Sequence, residues 1–142
     1  MILYNPPQRA AIIDDTRAVQ ILIAHVLHAA GFETRTASDG YTGWQLVRTY
    51  QPDLVITDLD MPCWGGWQLI EAVRSTPLAR LDKTPIIVCS ATDDWLSIRE
   101  SFDAGASYFI KKPIDVRQLS DLIDQIFNEP GRRMSSNAQR LT

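Results

Sequence analysis

Short runs that are apolar or rich in β-branched residues alternate along the chain with segments whose apolar residues recur at helical spacing. The first kind of pattern predicts strands and the second predicts amphipathic helices. Strands are predicted at residues 10–13, 33–37, 54–58, 85–90 and 108–111. Helices are predicted at residues 16–30, 41–50, 67–75, 94–104 and 116–127. Five strand-helix alternations predict an α/β fold with a doubly wound parallel sheet, right-handed crossovers and helices on both faces.

The central run, residues 54–62, reads Leu-Val-Ile-Thr-Asp-Leu-Asp-Met-Pro. It is apolar until Asp58, and Pro62 stops it. Uniformly apolar strands are typical of parallel sheets covered on both faces, and ligands bind beyond the carboxyl ends of such strands. Asp58 is therefore a candidate for chemistry, although an aspartate at this position can also serve only to cap a turn.

The composition fits one globular domain, because 142 residues with 45% hydrophobic and 22% charged side chains can bury a full core. We predict an N-terminal arm at residues 1–9, the domain at 10–128, and a disordered tail or the start of a linker at 129–142. No run is long enough to cross a bilayer and no secretion signal begins the chain, so we expect a cytoplasmic protein without membrane insertion. The net charge of −3, without a basic cluster in the domain, predicts no direct binding of nucleic acid.

Three aspartates meet if the first and third strands are neighbours. Asp14 and Asp15 end the first strand and Asp58 ends the third. Two unit charges ~5 Å apart at an effective dielectric of ~20 repel by roughly 3 kcal/mol, so a cation is needed nearby. Oxygen ligands without His or Cys favour Mg²⁺, with Mn²⁺ as a second possibility. The acidic pair could instead only cap the first helix.

Two further side chains end neighbouring strands. Lys112 follows the fifth strand and precedes Pro113, with Lys111 facing the opposite way because side chains alternate along a strand. Ser90 ends the fourth strand and contributes a hydroxyl. Carboxylates, a lysine and a hydroxyl at one edge of a sheet suit a phosphoryl group, with Asp58 free to act as a nucleophile.

At residues 10–127 the chain resembles the receiver domain of two-component response regulators and is similar to the single-domain chemotaxis regulators. The resemblance rests on five motifs in order: Ile-Ile-Asp14-Asp15, Ile-Thr-Asp58-Leu-Asp-Met-Pro62, Val-Cys-Ser90-Ala91, Asp-Ala-Gly105-Ala and Lys112-Pro113. It implies a flavodoxin-like five-stranded sheet in the order 2-1-3-4-5.

The resemblance also implies the chemistry. Asp58 would accept a phosphoryl group from a sensor histidine kinase or a histidine phosphotransfer protein, giving an aspartyl phosphate. Asp15 would bind Mg²⁺ directly, Asp14 partly through water, and Asp60 through its backbone carbonyl, with Asp58 also in the metal site. Ser90, Ala91 and Lys112 would bind the phosphate, with a cis bond between Lys112 and Pro113. Such a protein signals and is not an enzyme in the ordinary sense, since it catalyses only its own phosphotransfer and autodephosphorylation.

By the same resemblance, Ser90 would move toward the phosphate and Phe109 would follow it inward. This switch would change the surface of the fourth helix, fifth strand and fifth helix for a downstream protein effector. Three residues depart from the commonest pattern of the family. Phe109 replaces the frequent tyrosine, Asp60 adds a carboxylate near the attacking water, and Lys111 adds a cation on the output face.

Two other functions stay open at this stage. The Asp58-Leu-Asp60 sequence resembles the nucleophile and acid pair of haloacid-dehalogenase-type phosphohydrolases, although that family places the pair after its first strand. A flavodoxin-like FMN-binding module would share the sheet order, but Asp14 and Asp15 would repel the phosphate of FMN. Turnover of small phosphomonoesters would support the first and a yellow protein the second.

Overall fold

The computed structural model describes residues 7–78 and 80–128 of the chain. The five strands are β1 (Arg9–Ile13), β2 (Glu33–Ala37), β3 (Leu54–Thr57), β4 (Ile86–Ser90) and β5 (Tyr108–Lys111). The five α-helices are α1 (Arg17–Ala29), α2 (Gly40–Tyr50), α3 (Gly66–Ser75), α4 (Trp95–Ala104) and α5 (Val116–Phe127). A short 3₁₀ helix, Leu81–Lys83, precedes β4 and was not predicted. Most of the predicted arm and all of the predicted tail lie outside the described residues.

The sheet is parallel throughout, in the order β2-β1-β3-β4-β5. This confirms the predicted fold, including the contact between the first and third strands. Ile13 pairs with Thr57 in that contact. The next residues, Asp14 and Asp58, therefore leave the sheet side by side at its carboxyl edge.

Each face of the sheet packs on its own set of helices, which explains why the central strands are apolar at every position. β3 and β4 are buried along their whole length. Members of one core come from the sheet, α1 and α5, and include Ile12, Ile56, Ile23, Leu119 and Ile123. The other core joins the sheet to α2 and α3, and includes Ile13, Val55, Val88, Val47, Leu69 and Ile70. Burying one such aliphatic side chain stabilises the fold by about 1.5–3 kcal/mol.

The five α-helices that the structure describes each begin within one residue of the predicted position, and α5 begins at the predicted residue, Val116. Asp94 and Asp115 lie just before α4 and α5, and their carboxylates accept hydrogen bonds from the first backbone N–H groups of those helices. Asp94 keeps extended backbone angles as a capping residue, so α4 starts at Trp95, one residue after the predicted start. Among the described residues, no helix combines the length and the apolarity that crossing a bilayer requires.

The four tryptophans differ in burial. Trp44 and Trp67 are partly buried and pack against the core on the α2 and α3 face. Trp64, in the loop after β3, is partly buried and stacks edge-on against Tyr41, with ring centroids 5.5 Å apart. Trp95 begins α4 and is 66% exposed.

Candidate functional site

Three carboxylates meet at the carboxyl edge of the sheet. One carboxylate oxygen from each of Asp14, Asp15 and Asp58 lies within 4.8 Å of the other two. Asp14 and Asp58 are 1% and 7% exposed, whereas Asp15 faces solvent. The structure thus brings together the three acids that the strand order predicts. They form an all-oxygen donor set that is open to solvent at Asp15.

Lys112 reaches the same cluster from the end of β5. Its Nζ donates to Asp14 Oδ2 at 2.7 Å and to Asp58 Oδ2 at 3.0 Å. Burial alone lowers the pKa of Lys112, but the hydrogen bonds and negative charges of Asp58 and Asp14 outweigh burial and raise the pKa above its usual value. One ammonium beside three carboxylates leaves a formal charge of about −2, which matches a divalent cation.

The carboxylate of Asp58 is held by backbone groups as well as by Lys112. Its Oδ1 accepts a hydrogen bond from Leu59 N at 2.7 Å and a longer one from Asp60 N at 3.4 Å. The backbone N–H of Asp58 donates to Ile13 O at 3.0 Å, which continues the pairing of β1 and β3 past the end of the strands. These contacts fix both oxygens of Asp58 in direction, while Asp60 itself is exposed.

The backbone at the start of α3 lies very close to the backbone of Asp58 and Leu59. Gly66 N donates to Leu59 O at 2.9 Å. A Cβ atom at Gly66 would lie 2.1 Å from Asp58 O and 2.9 Å from Leu59 Cα. Because both neighbours are backbone atoms, no side-chain rotation could relieve this overlap.

We therefore expect Gly66→Ala to destabilise the protein by about 1–3 kcal/mol, since inserted methyl groups in tight sites force the backbone to move. Glu71→Ala is the matched control on the same helix, because Glu71 is exposed and its removal changes stability by only about 0.5 kcal/mol. Urea denaturation of both variants checks the difference. Equal midpoints for the two would contradict the close approach.

The predicted phosphate-binding and switch residues lie on β4, on β5 and directly after these strands. Ser90 is completely buried at the end of β4, and its hydroxyl accepts a hydrogen bond from Thr92 N at 3.3 Å. Ala91, the next residue, is exposed. Phe109 on β5 is partly buried and packs against the core on the α2 and α3 face.

The end of β5 is fixed next to the end of β4. Lys112 N donates to Ser90 O at 2.8 Å, and the bond between Lys112 and Pro113 is cis, as the resemblance implied. Lys111 points away from the acids and pairs with the exposed Asp93 in the loop before α4. The two lysines therefore face opposite ways, as the strand alternation predicts.

A groove of about 810 Å³ runs between α4, β5 and α5. Most of its wall is apolar and comes from Ile98, Phe102, Tyr108, Phe109, Ile110 and Leu122. Asp115 and Asp121 add negative charge and Arg117 adds one positive charge. Phe109 thus lines the groove from β5 and also contacts the core.

One residue of the site region was missed by the sequence interpretation. Gln20 on α1 is only 3% exposed, and its side chain donates to Asp14 O at 2.6 Å. Helical spacing places position 20 on the buried face with Ile23 and Leu27. A polar residue on a buried helix face was the signal that could have identified it.

Comparison with known proteins gives a consistent result. The family model described as the response regulator receiver domain matches residues 10–124. The DNA-binding transcriptional regulator NtrC of Bradyrhizobium sp. is 29% identical over 94% of this chain, and the DNA-binding dual master transcriptional regulator RpaA of Synechocystis sp. is 32% identical over 78%. The chain spans only 27% and 45% of the lengths of these two relatives.

Solved structures share the fold. The chemotaxis response regulator CheY4 of Vibrio cholerae superposes with a TM-score of 0.76 at 24% identity, over 86% of this chain and 100% of that one.

Proposed function

This chain belongs to the response regulator receiver domain family, and we propose that Asp58 is its phosphoacceptor. One observation supports this role above the others. Asp58 belongs to the acidic cluster, and its carboxylate accepts hydrogen bonds from Lys112 at one oxygen and from backbone N–H groups at the other. The phosphodonor would be a sensor histidine kinase or a histidine phosphotransfer protein.

In the proposed reaction a carboxylate oxygen of Asp58 attacks phosphorus and forms the O–P bond of an acyl phosphate. The bond from phosphorus to the donor breaks, and the donor nitrogen or oxygen keeps the electron pair. Negative charge builds up on the phosphoryl oxygens during the transfer. The ammonium of Lys112, already within hydrogen-bond distance of Asp58, would offset part of this charge.

The acidic cluster suits a bound Mg²⁺, or Mn²⁺ in its place. We propose that the carboxylates of Asp14, Asp15 and Asp58 hold the ion together with the backbone carbonyl of Asp60. The all-oxygen donor set and the formal charge left after Lys112 is counted support this assignment. When bound, the ion supplies positive charge next to the phosphoryl oxygens.

The switch would begin at Ser90. The buried Ser90 hydroxyl accepts a hydrogen bond from Thr92 N, and a phosphoryl group on Asp58 would give the O–H of Ser90 a charged acceptor. We propose that Ser90 and the backbone N–H of Ala91 bind the phosphate oxygens. Phe109, between the core and the groove, would then change position and reshape the groove.

The groove between α4, β5 and α5 is the proposed output surface. Its apolar wall with Asp115 and Asp121 fits a protein effector that presents an apolar segment flanked by basic residues. The net charge of −3 argues against nucleic acid as a direct partner. We propose a cytoplasmic signalling role without membrane insertion.

Acetyl phosphate tests the phosphoacceptor role without the natural kinase. We expect the full chain with Mg²⁺ to gain a single phosphoryl group that is lost at alkaline pH, as acyl phosphates are. Chelation of Mg²⁺ with EDTA is expected to suppress the labelling. Steady turnover of p-nitrophenyl phosphate without a labelled protein would favour a phosphohydrolase instead, and labelling unaffected by EDTA would contradict the metal site.

A further inference from the structure

The side chain of Gln20, on α1, contacts the turn that carries the first two acids. Its Nε2 donates to Asp14 O at 2.6 Å and lies 3.3 Å from Ala37 O and 3.2 Å from Ser38 Oγ. Its Oε1 accepts a hydrogen bond from Arg17 at 3.1 Å. All the hydrogen-bonding groups of this 3%-exposed amide are therefore engaged.

These contacts tie together two turns at the carboxyl edge of the sheet. Ala37 O, at the end of β2, also accepts a hydrogen bond from Asp14 N at 3.0 Å. Gln20 and the backbone of Asp14 thus converge on one carbonyl group. The turn after β1 is therefore held by two hydrogen bonds, one from Asp14 N to the end of β2 and one from Gln20 of α1 to Asp14 O.

The carbonyl of Asp14 belongs to the peptide unit that leads to Asp15. Since this unit is planar, the direction of the carbonyl sets the direction in which Asp15 leaves the strand. Asp15 is exposed and has no carboxylate hydrogen bond in the described part of the chain. The backbone is therefore what places its carboxylate near Asp14 and Asp58.

We propose that Gln20 is a positioning residue for the divalent cation, acting through the peptide between Asp14 and Asp15. This inference rests on the proposed Mg²⁺ site. A neutral amide is well suited to the task, because it orients the turn without occupying the carboxylates. Lys112, in contrast, donates directly to the oxygens of Asp14 and Asp58.

Mg²⁺ is sensitive to such positioning, because it requires near-octahedral geometry at short distances. Gln20→Met keeps the length of the side chain and removes its hydrogen bonds. The buried carbonyl of Asp14 would lose its closest side-chain donor, and the turn would rotate to find another partner. Loss of residues that orient metal ligands typically lowers metal affinity by about 10–100-fold.

The test is a calorimetric titration of the 142-residue chain with Mg²⁺ alone. We expect Gln20→Met to bind Mg²⁺ at least about tenfold more weakly than the unmodified chain. Thr84→Val is the matched control, because Thr84 is also buried and donates to Arg80 O at 3.2 Å, but precedes β4 at the opposite edge of the sheet. Its Mg²⁺ affinity is expected to stay at the unmodified value.

A second variant and a second readout separate positioning from a general loss of stability. Gln20→Asn keeps a buried amide that is one methylene too short to reach Asp14 O, so we expect it to weaken Mg²⁺ binding as well. It replaces Gln20→Met in the test if Gln20→Met does not fold. At saturating Mg²⁺, labelling by acetyl phosphate is expected to recover in both variants. Equal Mg²⁺ affinity in the Gln20 variants and in Thr84→Val would overturn the inference. Absence of Mg²⁺ binding by the unmodified chain would instead overturn the proposed metal site.

Discussion

Lys112→Met is expected to lower the free energy of unfolding by about 3 kcal/mol at pH 7 without Mg²⁺, because it leaves two buried carboxylates without their cation. The Lys112 side chain is 16% exposed, and those of its partners Asp14 and Asp58 are 2% and 10% exposed. Methionine keeps much of the apolar stem of lysine, so the change removes charge rather than packing. Urea denaturation measures the difference.

Lys111→Met is the matched control, one residue earlier on the same strand. Lys111 also pairs with an aspartate, but its side chain is 46% exposed and that of Asp93 is 85% exposed. Water screens such a pair, so we expect a loss of no more than about 0.5 kcal/mol. Similar losses in the two variants would contradict the stronger stabilisation expected of the buried ion pairs of Lys112.

The pH dependence of this stabilisation has a definite sign. Burial acts to lower the pKa of Lys112, but its two aspartate partners raise the pKa above the usual 10.5. A raised pKa in the folded state means that the stabilisation is fully present below pH 10.5 and is lost as pH rises through the folded value. On the alkaline side, the difference in the free energy of unfolding between the unmodified chain and Lys112→Met is therefore expected to narrow only above pH 10.5. Mg²⁺ is expected to stabilise Lys112→Met more than the unmodified chain, because the carboxylates then lack a competing cation.

The position of the acids could be predicted from the sequence, because it depends on two simple regularities. Parallel strands end at the same edge of a sheet, so Asp14 and Asp58 converge once β1 and β3 are neighbours. Side chains alternate along a strand, so only one of Lys111 and Lys112 can face them. Both regularities act over a few residues and leave a visible pattern in the chain.

Contacts made by loops and by helix packing could not be predicted in the same way. Gln20 bonds to Ser38, which is 18 residues away and belongs to a different turn. The need for glycine at position 66 arises because α3 begins directly against the backbone of Asp58. The direction of the Ser90 hydroxyl likewise depends on the loop before α4, where Thr92 N lies. Each of these contacts requires the distance between two elements, which a local pattern does not contain.

Asp58→Asn is expected to abolish phosphorylation by acetyl phosphate, because the amide lacks the nucleophilic oxygen of a carboxylate. The substitution keeps the size of the side chain and removes one charge from the buried cluster. Asp60→Asn is the matched control, two residues further along the same loop. Asp60 is exposed and its backbone carbonyl is unchanged by the substitution, so its labelling is expected to persist, whatever the effect on the lifetime of the phosphate.

The most direct test compares the intact masses of the three proteins after incubation with acetyl phosphate and Mg²⁺. We expect one base-labile phosphoryl group on the unmodified chain and on Asp60→Asn, and none on Asp58→Asn. Circular dichroism of Asp58→Asn verifies that the variant is folded. Equal labelling of Asp58→Asn and the unmodified chain would contradict the assignment of Asp58 as the phosphoacceptor.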